Sequence, residues 1–231
     1  FTTPSGVKIG VFGLETPETA TKAHPAKIKG VTILGDKSMF DCAQAQVDSL
    51  KADGCDYIIC LGHLGIDKES IGNRSTDLLN VVDGIDVFID GHSHSTMKDI
   101  AEVTEKDGKV NGTLLTSTGT KLANIGKMTI TPEGKVSTEL VNGYTEVDAE
   151  TDAFVKNIQA QFSDKLNEVV AKSNVDLVVN DPETGKRLIR NRETNLGDLC
   201  ADAYRTVLGA DIAFVNGGGI RADILAGCIT Y

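Results

Sequence analysis

Asp86-Val87-Phe88-Ile89-Asp90-Gly91-His92-Ser93-His94-Ser95 is the stretch on which the reading of the fold turns. Apolar residues at 85, 87, 88 and 89 form a short run of buried-strand character. Gly91 breaks the strand, and two histidines follow two positions apart. In extended backbone, side chains at i and i+2 point the same way, so His92 and His94 are expected to converge. Imidazoles at a strand end, beside a glycine that permits a sharp turn, suit metal ligation. The rival reading is a pair of exposed loop histidines.

The preceding segment repeats the device. Asp56-Tyr57-Ile58-Ile59-Cys60-Leu61 reads as a strand covered on both faces, and Gly62-His63-Leu64-Gly65 ends it. Ser75 to Val82 reads as a helix closed by Gly84. Strand–helix–strand order makes the two strands parallel and brings His63, His92 and His94 to one sheet edge. His24, before Pro25 in a polar segment, reads as a bystander. Asp67 and Asp90 lie near the histidines in sequence, and Asp90 could orient an imidazole or simply bind backbone.

Upstream, Val7–Leu14 is an expected strand and Ile28–Ile33 a second. Ser38-x-x-Asp41 opens a helix with a Phe40, Ala43, Val47, Leu50 stripe, stopped by Gly54. Beyond Glu102 the pattern shortens to hairpins, with turns at Lys106-Asp107-Gly108-Lys109 and Pro132-Glu133-Gly134-Lys135. Segments 114–116, 127–130 and 136–141 read as antiparallel strands. A long helical pattern from Thr151 to about Ala171 carries Phe154, Ile158, Phe162, Leu166 and Val169 on one face. Val175–Val179 and Ile212–Val215 are expected strands. Leu196, Leu199, Cys200, Ala203, Val207 and Leu208 stripe a helix closed by Gly209. Asn216-Gly-Gly-Gly-Ile-Arg221 then offers backbone N–H groups and a guanidinium to an anion; a plain tight turn fits it equally well.

Composition bounds the function. The 231 residues allow one or two domains, with 40% hydrophobic and 24% charged residues, as in ordinary globular proteins. A net charge of −10 argues against a nucleic-acid binder. No apolar run approaches the roughly 20 residues of a membrane span. The five cysteines are odd in number and lack C-x-x-C spacing, so buried free thiols are expected rather than a disulfide framework or a zinc ribbon.

The combined motifs resemble the 5′-nucleotidase family of calcineurin-like metallophosphoesterases. The matching residues are Gly10–Thr19 (G-V-F-G-L-E-T-P-E-T), Gly62-His63, Gly91-His92-Ser93-His94, Arg192–Leu199 (R-E-T-N-L-G-D-L) and Asn216–Arg221. The resemblance implies an α/β fold in three parts. Residues 1–150 would be part of a four-layer αββα metallophosphoesterase domain, 151–171 a linker helix, and 172–231 part of an α/β nucleoside-binding domain. It implies that His63 and His92 share one divalent metal ion and His94 binds a second, the metals being Zn, Mn, Co or Fe. Arg190, Asn216, Gly218 and Arg221 would hold a nucleotide substrate, and no catalytic residue is assigned within the chain.

The implied activity is hydrolysis of nucleotide phosphomonoesters in nucleotide catabolism, by a secreted, periplasmic or cell-surface enzyme. The alternatives are a 2′,3′-cyclic-nucleotide 2′-phosphodiesterase/3′-nucleotidase of the same family, or a non-catalytic nucleotide- or metal-binding module. The family's D-x-H, bridging aspartate and G-N-H-[DE] motifs do not occur in these residues, and Phe1 runs straight into a strand. The expectation is an internal piece of a longer enzyme, inactive alone and holding at most one weakly bound metal.

Overall fold

A computed structural model of the protein describes residues 1–105 and 108–231. The chain forms two compact units, Phe1–Tyr144 and Thr145–Tyr231.

The first unit is built on a five-stranded sheet. Its strands are β1 (Ile9–Glu15), β2 (Tyr57–His63), β3 (Val87–Ile89), β4 (Lys109–Val110) and β5 (Thr113–Thr116), in the order β1-β2-β3-β5-β4. β1, β2, β3 and β5 run parallel, and only β4 is antiparallel. The 114–116 segment is therefore antiparallel to β4 but parallel to β3. Residues 106 and 107 of its expected turn lie outside the described residues.

Strand alternation divides two apolar layers. Phe12, Ile58, Cys60, Phe88 and Leu115 face the helices α2 (Asp36–Ala52), α3 (Ser75–Leu79) and α4 (Met97–Ala101), meeting Met39, Ala43, Val47, Leu78, Leu79 and Ile100. On the other face Ile59, Val87 and Leu114 meet Met128 and Val136 of a hairpin, β6 (Ile125–Ile130) and β7 (Val136–Val141). The result is a layer of helices, the parallel sheet, and a second small sheet: a mixed α/β fold. A short helix, α1 (Thr19–Lys22), follows β1.

The second unit opens with α5 (Ala149–Leu166), whose N-cap Asp148 accepts the N–H of Thr151 at 2.8 Å. β8 (Val169–Ser173) pairs antiparallel with β9 (Gly227–Thr230). α6 (Asn195–Leu208) is capped by Thr194, which accepts the Gly197 N–H at 3.2 Å, and ends at Gly209 in the left-handed region (φ 62°). Val179, Ile189 and Leu196 form its small core, with Leu177, Cys200, Ile220 and Ile224 packed around them.

Several sequence expectations change here. Ile28–Ile33 forms no strand, and α2 starts at Asp36 without a side-chain cap, Ser38 instead donating to the Gly35 carbonyl at 2.7 Å. Val175–Val179 reduces to a bridge between Leu177 and Ile224, and Ile212–Val215 has no strand partner, leaving Phe214 exposed. Apolar content alone makes no strand where no neighbouring edge offers its hydrogen bonds. The α5 stripe is also uncovered: no residue of the helix is buried, and Phe154 is 64% exposed. Of the cysteines only Cys60 is buried; Cys42 and Cys228 are exposed, and all five are free. No helix among the described residues is long and apolar enough to cross a membrane.

Candidate metal centre and substrate loops

The carboxyl ends of β1, β2 and β3 form one edge of the parallel sheet. Register places Glu15 beside His63, the last residue of β2. One strand further on, β3 ends at Ile89, opposite Leu61. The His63 and His92 rings meet edge to face, with centroids 5.1 Å apart and planes at 68°. His63 is exposed, while the His92 side chain is 19% exposed.

Asp90 builds the turn that carries them. Its Oδ1 accepts the N–H groups of Leu64 (3.0 Å), Gly65 (3.1 Å) and Gly91 (2.8 Å). Of the two roles open to Asp90, the structure shows backbone capping. The histidine segment is not extended: His92 (φ 73°) and His94 (φ 56°) both lie in the left-handed region. Two non-glycine residues there, two positions apart, mark a locally strained loop. The i, i+2 argument for their convergence therefore fails, since it assumes extended backbone. His94 is exposed. His24 is exposed too, and its Nδ1 accepts the Ala26 N–H at 3.2 Å.

Two carboxylates surround His92. Glu18, in the turn after β1, places Oε2 3.2 Å from Nε2 of His92. Hydrogen bonds from Lys22 and then Ser70 hold the Glu18 carboxyl down to about 2. Asp67 moves the other way: loss of hydration and the nearby Glu69 charge raise it, while His92 and His94 pull it down. Sequence reasoning gave Glu18 no role. Its 74-residue separation from His92 hides the contact, although the residue lies inside the G-V-F-G-L-E-T-P-E-T motif.

Paired imidazoles with carboxylates nearby are the donor chemistry of a mixed nitrogen/oxygen metal site. Among the described residues, however, no three histidine, cysteine, aspartate or glutamate side chains converge closely enough to hold an ion. The donors present fit part of such a site.

The second unit carries the other candidates. Asn216 opens a 3₁₀ turn at Gly217–Gly219, its Oδ1 accepting the Gly218 N–H at 3.1 Å. A Cβ on Gly217 would overlap the carbonyl oxygen of Ile189, and one on Gly218 would lie 3.1 Å from Nη2 of Arg190. The Arg190 guanidinium thus lies against the glycine turn, which brings Arg190, Asn216 and Gly218 together. Arg221, exposed, follows directly, and Arg187 donates to the carbonyl of Ile220 between them.

Two solved structures share the fold of this chain. The calcineurin-like phosphoesterase YfkN from Bacillus subtilis superposes on 71% of this chain and 54% of its own, with TM-score 0.50 at 23% identity. The NAD nucleotidase of Haemophilus influenzae covers all of this chain and 49% of its own, with TM-score 0.51 at 17% identity. The fold class is that of the calcineurin-like phosphoesterases.

Sequence comparison narrows this. Residues 169–231 match the family model described as 5′-nucleotidase, C-terminal domain. The trifunctional nucleotide phosphoesterase protein YfkN of Bacillus subtilis is 32% identical over 97% of this chain and 15% of its own length. A 5′-nucleotidase of Vibrio parahaemolyticus is 26% identical over 98% of this chain and 46% of its own. Residues 169–231 thus carry the 5′-nucleotidase C-terminal domain signature, and nearly the whole chain is similar in sequence to these two phosphoesterases. The chain spans less than half the length of either relative.

Proposed function

We propose that the chain is part of a metal-dependent hydrolase that releases phosphate from nucleotide monoesters. The observation that carries this is the edge-to-face pair of His63 and His92 at adjacent parallel strand ends, 5.1 Å apart between ring centroids. In this reading His63 and His92 supply nitrogen donors to one divalent ion and His94 to a second. Bound divalent ions would polarise the phosphoryl oxygens and lower the pKa of a coordinated water. The protein's own share is positional. Asp90 ties the two strand ends together, and Glu18 and Asp67 place negative charge beside the imidazoles.

In the second unit, Arg190 and Arg221 supply cationic, bidentate donors suited to phosphate. The Gly217–Gly219 turn leaves backbone open to close approach, and Asn216 holds that turn in shape. These four residues, with Gly218 at the centre, form the proposed nucleotide-binding loop.

The alternative within the class is a 2′,3′-cyclic-nucleotide 2′-phosphodiesterase/3′-nucleotidase; similarity to a trifunctional nucleotide phosphoesterase is compatible with either substrate class. The test is phosphate release by the full-length gene product from AMP, 3′-AMP and 2′,3′-cyclic AMP with Mn²⁺, Zn²⁺ or Co²⁺. Release from AMP, abolished in His92→Ala and weakened through KM in Arg221→Ala, supports the proposal. Selective release from the other two substrates supports the alternative. Turnover unaffected by His92→Ala overturns both.

A further inference from the structure

Beyond placing negative charge near the imidazoles, Glu18 makes the one hydrogen bond that the His92 ring has among the described residues. Its Oε2 stands 3.2 Å from Nε2, and both side chains are about four-fifths covered, 19% exposed for His92 and 21% for Glu18. The carboxylate is itself held from two sides. Ser70, buried, donates its hydroxyl to Oε1, and Lys22 reaches Oε2 from one turn along α1. Glu18 cannot swing away without breaking both.

The proton position on His92 follows from this arrangement. A glutamate at neutral pH is ionised and can only accept hydrogen bonds. The ring nitrogen facing it must therefore carry the proton. A neutral imidazole has one N–H, so Nδ1 is left with the free lone pair. On the neighbouring ring, Nδ1 of His63 lies against Gly91, where a Cβ would come within 3.1 Å of it.

We propose that Glu18 is a positioning residue that fixes His92 as the Nε2–H tautomer and so presents Nδ1 as its metal-binding nitrogen. The tautomer stands on the geometry alone; the use of Nδ1 rests on the reading of His92 as a metal ligand. A carboxylate behind a ligating histidine orients the ring and raises its basicity, and loss of such a partner typically weakens metal binding about 10–100-fold.

The experiment is long-range ¹H–¹⁵N correlation on the ¹⁵N-histidine-labelled chain at neutral pH, with His92→Gln identifying the His92 signals. The expected spectrum shows a protonated Nε2 and an unprotonated Nδ1 on His92. Glu18→Ala should collapse this into averaged shifts, and Glu18→Gln, which keeps an acceptor oxygen on a similar stem, should largely restore it. Titration with Zn²⁺ alone should displace the Nδ1 signal, with affinity about tenfold or more weaker in Glu18→Ala. A protonated Nδ1 in the unaltered chain, or a His92 signal indifferent to Glu18→Ala, overturns the proposal. Should Glu18→Ala fail to fold, the tautomer in the unaltered chain and in Glu18→Gln still decides it. A chain showing Nε2–H yet insensitive to Zn²⁺ upholds the role of Glu18 on the ring and overturns the use of Nδ1 for metal.

Discussion

Oδ1 of Asp90 accepts the backbone N–H of Leu64 at 3.0 Å, so the residue just past β3 holds the residue just past β2. The same oxygen takes the N–H groups of Gly65 and Gly91. One carboxylate thereby satisfies three backbone donors at the mouth of the sheet and sets the distance between His63 and His92. Such donors are costly when left without a partner in a partly buried place.

Replacing Asp90 by alanine is therefore expected to destabilise the first unit by about 2–3 kcal/mol, through three stranded N–H groups and a lost charge-assisted bond. Asp90→Asn, which retains an acceptor oxygen, should recover at least half of this. Urea denaturation followed by circular dichroism checks it. Equal midpoints for the unaltered chain and Asp90→Ala would contradict the role.

The glycine before His63 is a second fixed point. A Cβ on Gly62 would overlap the ring of Phe88, which is fully buried on the helical face of the sheet. Phe88 has no room to turn, since Cys60, Leu64 and Leu115 fill the same cluster. Gly62→Ala is expected to cost about 1–3 kcal/mol by overpacking. Gly13→Ala, on the neighbouring strand, would meet only the Leu61 carbonyl oxygen at 3.7 Å and should cost less. The two melting curves together separate packing from general strand effects.

How far this was legible in sequence depends on the range of the interaction. The strands at 57–63 and 87–89 and their glycine-histidine ends could be read directly, because apolar runs and glycine breaks are local signals. So could α6, with Thr194 and Gly209 marking its ends. Glu18 and His92 could not be paired, since nothing in the spacing of residues 74 apart records a contact. The Ile28–Ile33 and Ile212–Val215 runs misled because β content depends on a neighbouring edge. The α5 stripe reads as core in sequence yet stays exposed, because periodicity shows that a face is apolar without showing what covers it.

Asp77 offers a pH test away from the proposed metal site. Its carboxylate takes two bonds from the Arg74 guanidinium, at 2.7 and 2.9 Å, and the N–H groups of Gly72 and Arg74. The Arg74 hydrogen bond foremost, helped by those N–H groups, holds its pKa below the ordinary aspartate value. A folded-state pKa below the unfolded one gives stability that is present above the unfolded value, about 4, and lost as pH falls from there through the lower folded value. The unaltered chain should thus lose stability from about pH 5 downward, and Asp77→Asn should lose measurably less over the same range. Parallel pH profiles would show Asp77 to be uninvolved.

The glycine turn of the second unit gives an ordered series. Gly217 packs against the Ile189 carbonyl, a backbone atom that cannot rotate aside, so Gly217→Ala must push the 189–190 and 216–218 segments apart. Gly218 faces only the end of the Arg190 side chain at 3.1 Å, which can give way, and Gly219 has open space around it. None of the three has a positive φ, so conformational strain does not confuse the comparison. The expected costs are about 2 kcal/mol or more for Gly217→Ala, less for Gly218→Ala, and within about 0.5 kcal/mol for Gly219→Ala. Because Ile189 belongs to the small core with Val179 and Leu196, the first variant should also raise amide exchange at Leu188 and Ile189, whose N–H groups bond to the Val179 carbonyl. Nucleotide affinity, measured by calorimetry with AMP, should fall in the same order if this turn is the binding loop. Retained AMP binding in Gly217→Ala, with exchange at 188 and 189 raised, would place the nucleotide elsewhere.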